Sequence, residues 1–215
     1  MGRAEIKEIR RTQLIEATID MIARRGFAAL TLADIAKAAH LSSGIVNFYF
    51  RSKEELLVAT LRHLAATYER FIDQAIEQAG AEPAEQFAAI IEADFDPRIA
   101  SRKHVTVWYA FWGEARWRPE YLEICAEISE RFFLQTRALC AAIAERGGYR
   151  DLDLDAIARG FNAMSDGLWL ELLTNPKTYS REDGKRASYA FLASVFPQEF
   201  ALRARPPQPA QAANA

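Results

Sequence analysis

Three histidines, two cysteines and 29 acidic residues are the side chains from which this 215-residue chain could build catalytic chemistry. His40, His63 and His104 share no metal-ligand spacing, and no CxxC, HExxH, GxSxG or phosphate-loop pattern occurs. The carboxylates lie on charged helix faces, with no pair set apart for acid–base work. Catalytic residues, a metal centre and a cofactor are therefore not expected. An all-α enzyme working through Asp166 in an aromatic pocket is the remote alternative. Cys125 and Cys140, on one continuous helix, would stand about 22 Å apart at 1.5 Å per residue. A disulfide spans only about 6 Å between Cα atoms. They are expected to be separate core thiols in a reducing cytosol.

Recognition is better represented than catalysis. Trp108 and Trp112 are four residues apart and share a helix face, with Phe111 beside them and Trp117 shortly after. Asp166 and Trp169 are three apart in an otherwise apolar helix. A buried carboxylate is costly unless paired. Gly167 in a helix interior also costs stability, which points to close packing or to room for a guest. Aromatic faces with a carboxylate are what a quaternary ammonium ion requires. A small ligand is thus expected among Trp108, Phe111, Trp112, Asp166 and Trp169. The plainer alternative makes Trp108 and Trp112 core residues, and Asp166 an ion-pair partner or a dimer contact.

The elements that would position these residues are all helical. Residues 4–25 keep a stripe of Ile6, Ile9, Leu14, Ala17, Thr18, Met21 and Ile22, and Gly26 closes that helix. Thr31 is a good N-cap for a short helix at about 32–39. His40 and Leu41 interrupt the pattern, and Ser42 or Ser43 caps a second short helix at 43–49. Ser52 and Glu55 form a capping-box pattern ahead of a long helix from Lys53 to Gln78. Two short helices, a tight break and a long helix are the layout of a helix-turn-helix. Further helices are expected at about 83–93, after the pair Asp96–Pro97, at 119–146, from Asp153 or Asp155 to before Pro176, and at 181–195. No stretch has a strand-like period of two, so the fold expected is all-α. Residues 203–215, RARPPQPAQAANA, have few core formers and are expected to be a disordered tail.

Thr31, Ile35, Ala36, Ala39, Leu41, Ser42, Gly44, Tyr49, Phe50, Lys53 and Leu56 resemble the N-terminal signature of the TetR-type repressors, over roughly residues 7–62. His40 stands where that family usually has glycine, and His tolerates a left-handed backbone better than most residues. The resemblance implies a three-helix DNA-binding domain at 1–52 and a helical ligand-binding and dimerisation domain at 53–202. It makes the helix at 43–49 the recognition element, entering the major groove of a double-stranded operator. Ser43, Gly44 and Asn47 are then candidates for base edges, since Asn can bond adenine through two hydrogen bonds. Thr31, Ser42, Tyr49 and Lys53 are candidates for phosphate oxygens, which position without reading sequence. Ile45 and Phe48 would touch thymine methyls, sugars or the core. So small a head needs two half-sites about 34–36 Å apart, hence a homodimer. Ile157, Gly160, Phe161, Met164, Leu168 and Leu172, with Tyr189, Phe191, Leu192 and Val195, supply the expected faces, and the family bundles these two helices from each subunit.

The run ADFD ending at Asp96, WYAFW at 108–112 and DGLWL at 166–170 are similar to the choline-responsive BetI-type repressors. That resemblance implies a repressor of glycine betaine synthesis released by choline or betaine aldehyde, with the helix from Lys53 as the lever to the head. A regulator of an efflux or catabolic operon, sensing another hydrophobic or aromatic metabolite, is the alternative. Charge fits either. Residues 1–60 carry nine Lys/Arg against seven Asp/Glu, the remainder 18 against 22, a mildly basic head on an acidic body. No apolar run approaches the length of a membrane span and no signal peptide is seen. The expected location is the cytoplasm.

Overall fold

Ten α-helices follow one another among the described residues, 2–28 and 30–204 of a computed structural model. They are α1 (Arg3–Arg25), α2 (Leu32–Ala38), α3 (Ser43–Tyr49), α4 (Lys53–Gln78), α5 (Pro83–Asp94), α6 (Arg102–Ala115), α7 (Pro119–Gly147), α8 (Leu154–Thr174), α9 (Arg181–Val195) and α10 (Pro197–Phe200). No strand occurs among these residues, so the all-α expectation holds. None of these helices is long and apolar enough to cross a membrane.

Local chemistry explains most boundaries. The Thr31 hydroxyl oxygen accepts from the Asp34 backbone N–H at 3.1 Å and so caps α2, a bond worth about 1 kcal/mol. At the other end His40 takes a left-handed φ of 55°. Its N–H donates to the Lys37 carbonyl at 3.1 Å, and that of Leu41 to Ala36 at 2.9 Å. These two bonds are a Schellman closure. Ser52 accepts from the Glu55 N–H at 3.0 Å, but the Glu55 carboxylate accepts from Arg51 rather than Ser52. Half of the expected capping box is present.

Other boundaries depart from expectation. Asp96–Pro97 does not start α6. The backbone runs on through a turn, and Ser101 is the N-cap, accepting from the His104 N–H at 3.2 Å. Ile6 and Ile9 are exposed, so the stripe of α1 is buried only from Leu14 onward. The segment 197–200, not expected as a helix, forms α10 because Pro197 is preset for a first helical position and Phe200 is buried. The expected tail at 203–215 lies outside the described residues apart from Arg203 and Ala204. Arg203 is anchored, donating to the Glu85 carboxylate at 2.5 and 2.6 Å, with its guanidinium 5.9 Å from the Tyr189 ring.

The chain divides into two compact units, 1–71 with 98–131, and 72–97 with 132–215. The expected division after residue 52 marks where α4 begins. By packing, α1–α3 share their unit with most of α4, with α6 and with the first part of α7. The core of that unit includes Leu14, Ile22, Ile35, Val46, Phe50, Leu57, Phe111 and Tyr121. The core of the other includes Phe87, Phe95, Cys140, Phe161, Leu192 and Phe200. Cys125 and Cys140 are both free thiols on α7, as their spacing requires.

Candidate DNA interface and effector site

In the first unit, α3 is seven residues long and buries only Val46 among them. Ser43, Gly44, Asn47 and Phe48 are all exposed, and their i, i+3 and i, i+4 spacings make one continuous face. Phe48 is 72% exposed and meets Tyr49 edge-on at 5.1 Å. An exposed aromatic ring beside Asn47 gives that face both an apolar and a hydrogen-bonding surface. A Cβ at Gly44 would meet nothing closer than the Ser42 hydroxyl at 4.0 Å, so the glycine keeps the backbone itself open.

The expected phosphate-contacting residues divide by their present partners. Ser42 is exposed at the N-cap position with no capping bond from its side chain. Thr31 is committed to Asp34, accepting from its N–H and donating to its carboxylate at 2.6 Å. Lys53 donates from Nζ to the Phe27 carbonyl at 3.3 Å. Tyr49 is half-buried. Phe50 is core, with the Arg11 guanidinium 5.4 Å from its ring centroid.

The five expected effector residues fall in different units. Trp108, Phe111 and Trp112 stand on α6 in the first, Asp166 and Trp169 on α8 in the second. Phe111 is fully buried, edge-on to Phe27 at 4.9 Å and to Tyr121 at 5.3 Å. These contacts make it a core residue that fastens α6 beneath the head. Trp108 and Trp112 belong to a ladder of rings. Tyr68 meets Trp108 at 6.4 Å, Trp108 meets Trp112 at 6.1 Å, and Tyr109 meets Trp112 at 4.9 Å. Trp112 is half-buried, so part of its face stays accessible.

In the second unit, the Trp169 indole N–H donates to the Asp94 backbone carbonyl at 3.2 Å, which fixes the ring's orientation. The Asp94 carboxylate is buried and accepts a hydrogen bond from the Ser165 hydroxyl. Desolvation, and then the charge of Asp94, push the Asp166 carboxyl up to about 7. Asp166 is exposed in the isolated chain, which trims the size of the shift but not its direction. Two acidic groups, a hydroxyl and an oriented indole thus converge on the end of α5 and the middle of α8. Sequence reasoning did not assign Asp94 and Ser165 to this site. Their signal was a carboxylate in the apolar run AAIIEADF, the mark already read at Asp166.

Comparisons with known proteins bear on the fold and the family. Residues 14–60 match the family model for bacterial regulatory proteins of the tetR family. Residues 83–197 match that for the C-terminal region of BetI-type transcriptional repressors. The HTH-type transcriptional regulator BetI of Paraburkholderia xenovorans LB400 is 34% identical over 182 residues, which cover 79% of this chain and 85% of the relative. That of Stenotrophomonas maltophilia R551-3 is 32% identical over 192 residues, covering 89% and 95%. A transcriptional regulator from Pseudomonas aeruginosa PAO1 superposes with a TM-score of 0.79 at 26% identity, over 92% of this chain and 95% of that one. A regulator from Saccharomonospora viridis, solved in complex with choline, superposes at 0.75 with 23% identity, over 85% and 94%. From its helix-turn-helix to the end of α9, the chain belongs to the TetR family of transcriptional regulators, as a repressor of the BetI type.

Proposed function

We propose that this repressor binds a palindromic operator as a cytoplasmic homodimer and is released by a quaternary ammonium compound, choline or betaine aldehyde, so controlling glycine betaine synthesis. Residues 1–52 are the DNA-reading head and 53–202 the effector and dimerisation part. The observation that carries the effector class is the second carboxylate, Asp94, beside Asp166 within the BetI-type region. A cation settles between two acids that repel each other when both are ionised, and the Trp169 face adds cation–π attraction. Ser165 holds the Asp94 carboxylate in place. The choline-bound Saccharomonospora viridis relative is consistent with this class.

Binding at the end of α5 and on α8 would favour a conformation whose two heads no longer match the half-site spacing, since a ligand shifts an equilibrium only by its differential affinity for the two states. For the dimer, Gly160, Met164, Leu168, Leu172, Phe191 and Val195 are exposed or half-buried, while Phe161 and Leu192 face inward and pack within the subunit. The homodimer reading therefore rests on the former set.

Calorimetric titration with choline tests the effector class, with Asp166→Asn and Trp112→Ala alongside. Heat at millimolar choline or below, lost in Asp166→Asn, is expected. Unchanged heat in Trp112→Ala is expected if Asp94, Asp166 and Trp169 hold the cation by themselves. The absence of heat from the parent protein at millimolar choline would sink the choline reading.

A further inference from the structure

We propose that the turn joining α6 to α7, Arg116–Trp117–Arg118, is a second DNA-contacting element, which grips the phosphate backbone beside the duplex held by α3. The inference rests on reading the head as the DNA-binding end, and it adds a surface outside the helix-turn-helix.

Trp117 is 73% exposed. The Arg116 guanidinium lies 4.9 Å over its ring, and Arg116 is exposed as well. An exposed indole with a stacked guanidinium costs solvation and side-chain entropy and buries nothing in return. It is suited to a partner that offers negative charge and flat sugar or base surface. Arg118 is 5.5 Å from the Tyr121 ring and pairs with Glu114 at 3.7 Å across one helical turn. So open an ion pair is weak and can be exchanged.

The turn lies on the head's side of its unit. Tyr121, three residues beyond Arg118, is buried against Phe27 at 6.5 Å and Phe111 at 5.3 Å. Phe27 immediately follows α1, and its carbonyl accepts from Lys53, the expected phosphate contact at the start of α4. The Glu54 carboxylate also lies close enough to act on the Tyr121 hydroxyl. A chain of direct contacts therefore runs from Lys53 through Phe27 and Tyr121 to this turn. Arg24, Arg25 and Arg51 are exposed on the same unit. The acids nearby are Glu54, Glu114 and Glu120, so the basic character is local to the turn and not a broad field. Backbone gripping with no base reading is what two arginines and a stacking ring supply.

The test is operator binding by the full-length protein against salt concentration, using a duplex from the region upstream of its own gene in a long form and in one trimmed to the footprint core. Arg116→Ala with Arg118→Ala should lower the salt slope by about 1.8, two contacts at roughly 0.9 each. The loss should be the same on an unrelated duplex and vanish on the trimmed one. Arg116→Lys should restore most of the slope, as a point charge on phosphate does. Trp117 fluorescence should become shielded from iodide when the long duplex binds, with Trp117→Phe as the control. Arg116 and Trp117 are exposed and Arg118 is half-buried, and a thermal melt of each variant verifies that it folds, with Arg116→Ala alone, expected to lower the slope by about 0.9, as the second variant. An unchanged slope and affinity on the long duplex, with normal parent binding, overturns the turn contact alone. A parent protein with no DNA affinity overturns the head reading and this proposal together.

Discussion

If a quaternary ammonium ion sits between Asp94 and Asp166, its affinity must depend on pH in a direction and amount that follow from the site. Burial and the neighbouring Asp94 charge hold the Asp166 carboxyl at about 7. At pH 6 a large share of it is therefore protonated, and at pH 8 it is ionised. A bound cation favours the ionised form, so it must displace the proton. Choline affinity should fall from pH 8 to pH 6, by at most about tenfold, because the exposure of Asp166 trims the shift. Near neutral pH a fraction of a proton, at most about half, should leave per choline bound. Calorimetry in two buffers of different ionisation enthalpy at pH 7 measures that proton directly. Asp166→Asn should bind more weakly and lose the pH dependence. Asp94→Asn removes the charge that raises Asp166, so the midpoint should move down. The linkage also fixes a stability trend without ligand. The folded value lies above the ordinary 3.8, so between about pH 4 and 7 the folded chain holds a proton that the unfolded chain has lost. This group's contribution is full at low pH and disappears as pH rises through about 7. Equal choline affinity at pH 6 and 8 in the parent protein would refute the carboxylate site.

Further outcomes follow from the head and the cores. Asn47→Ala should cost about 1–3 kcal/mol of operator affinity with little change on unrelated DNA, whereas Lys53→Ala should weaken both equally and reduce the salt slope by about 1; band shifts over a salt series separate the two. Gly184→Ala places a Cβ 2.2 Å from the Phe95 ring. It should cost about 1–3 kcal/mol by overpacking, read as a melting temperature lower by about 2–4 °C for each kcal/mol. His40→Gly removes a Cβ from a left-handed position. It should stabilise by up to about 1 kcal/mol once the added chain entropy of glycine is deducted, and the same melt checks it.

The helices were legible because their signals are local. Thr31 and Ser52 accept backbone N–H groups within a turn of themselves, so α2 and α4 start where these residues predict, and Gly26 closes α1 in the same local way. Asp96–Pro97 misled for the same reason. The pair is a good helix start in isolation, but Ser101 caps a helix whose first buried residue is Val105. Long-range packing chose between two acceptable caps. The candidate effector residues were legible by type and not by partner. An aspartate in an apolar helix announces that something must compensate it, yet only the fold brings Asp94 of α5 to Asp166 of α8. Phe111 shows the converse. Its type and its place between two tryptophans suit a cation pocket, and only its contacts with Phe27 and Tyr121 identify it as core.

Those contacts also change how the head can be held. Read from the sequence, α4 alone joins the reading head to the rest of the chain. In the first unit α6 packs directly on α1. The Phe27–Phe111 edge contact fixes the end of α1 to the middle of α6. The Lys103 ammonium pairs with Asp20 at 3.0 Å, and His63 on α4 hydrogen-bonds Glu16 on α1 at 3.2 Å. The hydrogen bond from His63 is the first reason the Glu16 carboxyl titrates below its ordinary value. Buried aromatic contacts of this kind are close-packed and do not stretch. A displacement of α6 must therefore carry α1 with it or break the Phe27 contact. The head is thus held at several points along α1 as well as at the start of α4: Glu16 by His63, Asp20 by Lys103, and Phe27, just after α1, by Phe111 and by Lys53. An effector-induced shift reaching either helix would rotate α3 as part of one body. In the proposed dimer, that rigidity would let a change in the spacing of two heads decide whether DNA is held, since a loosely tethered head would adapt to either spacing.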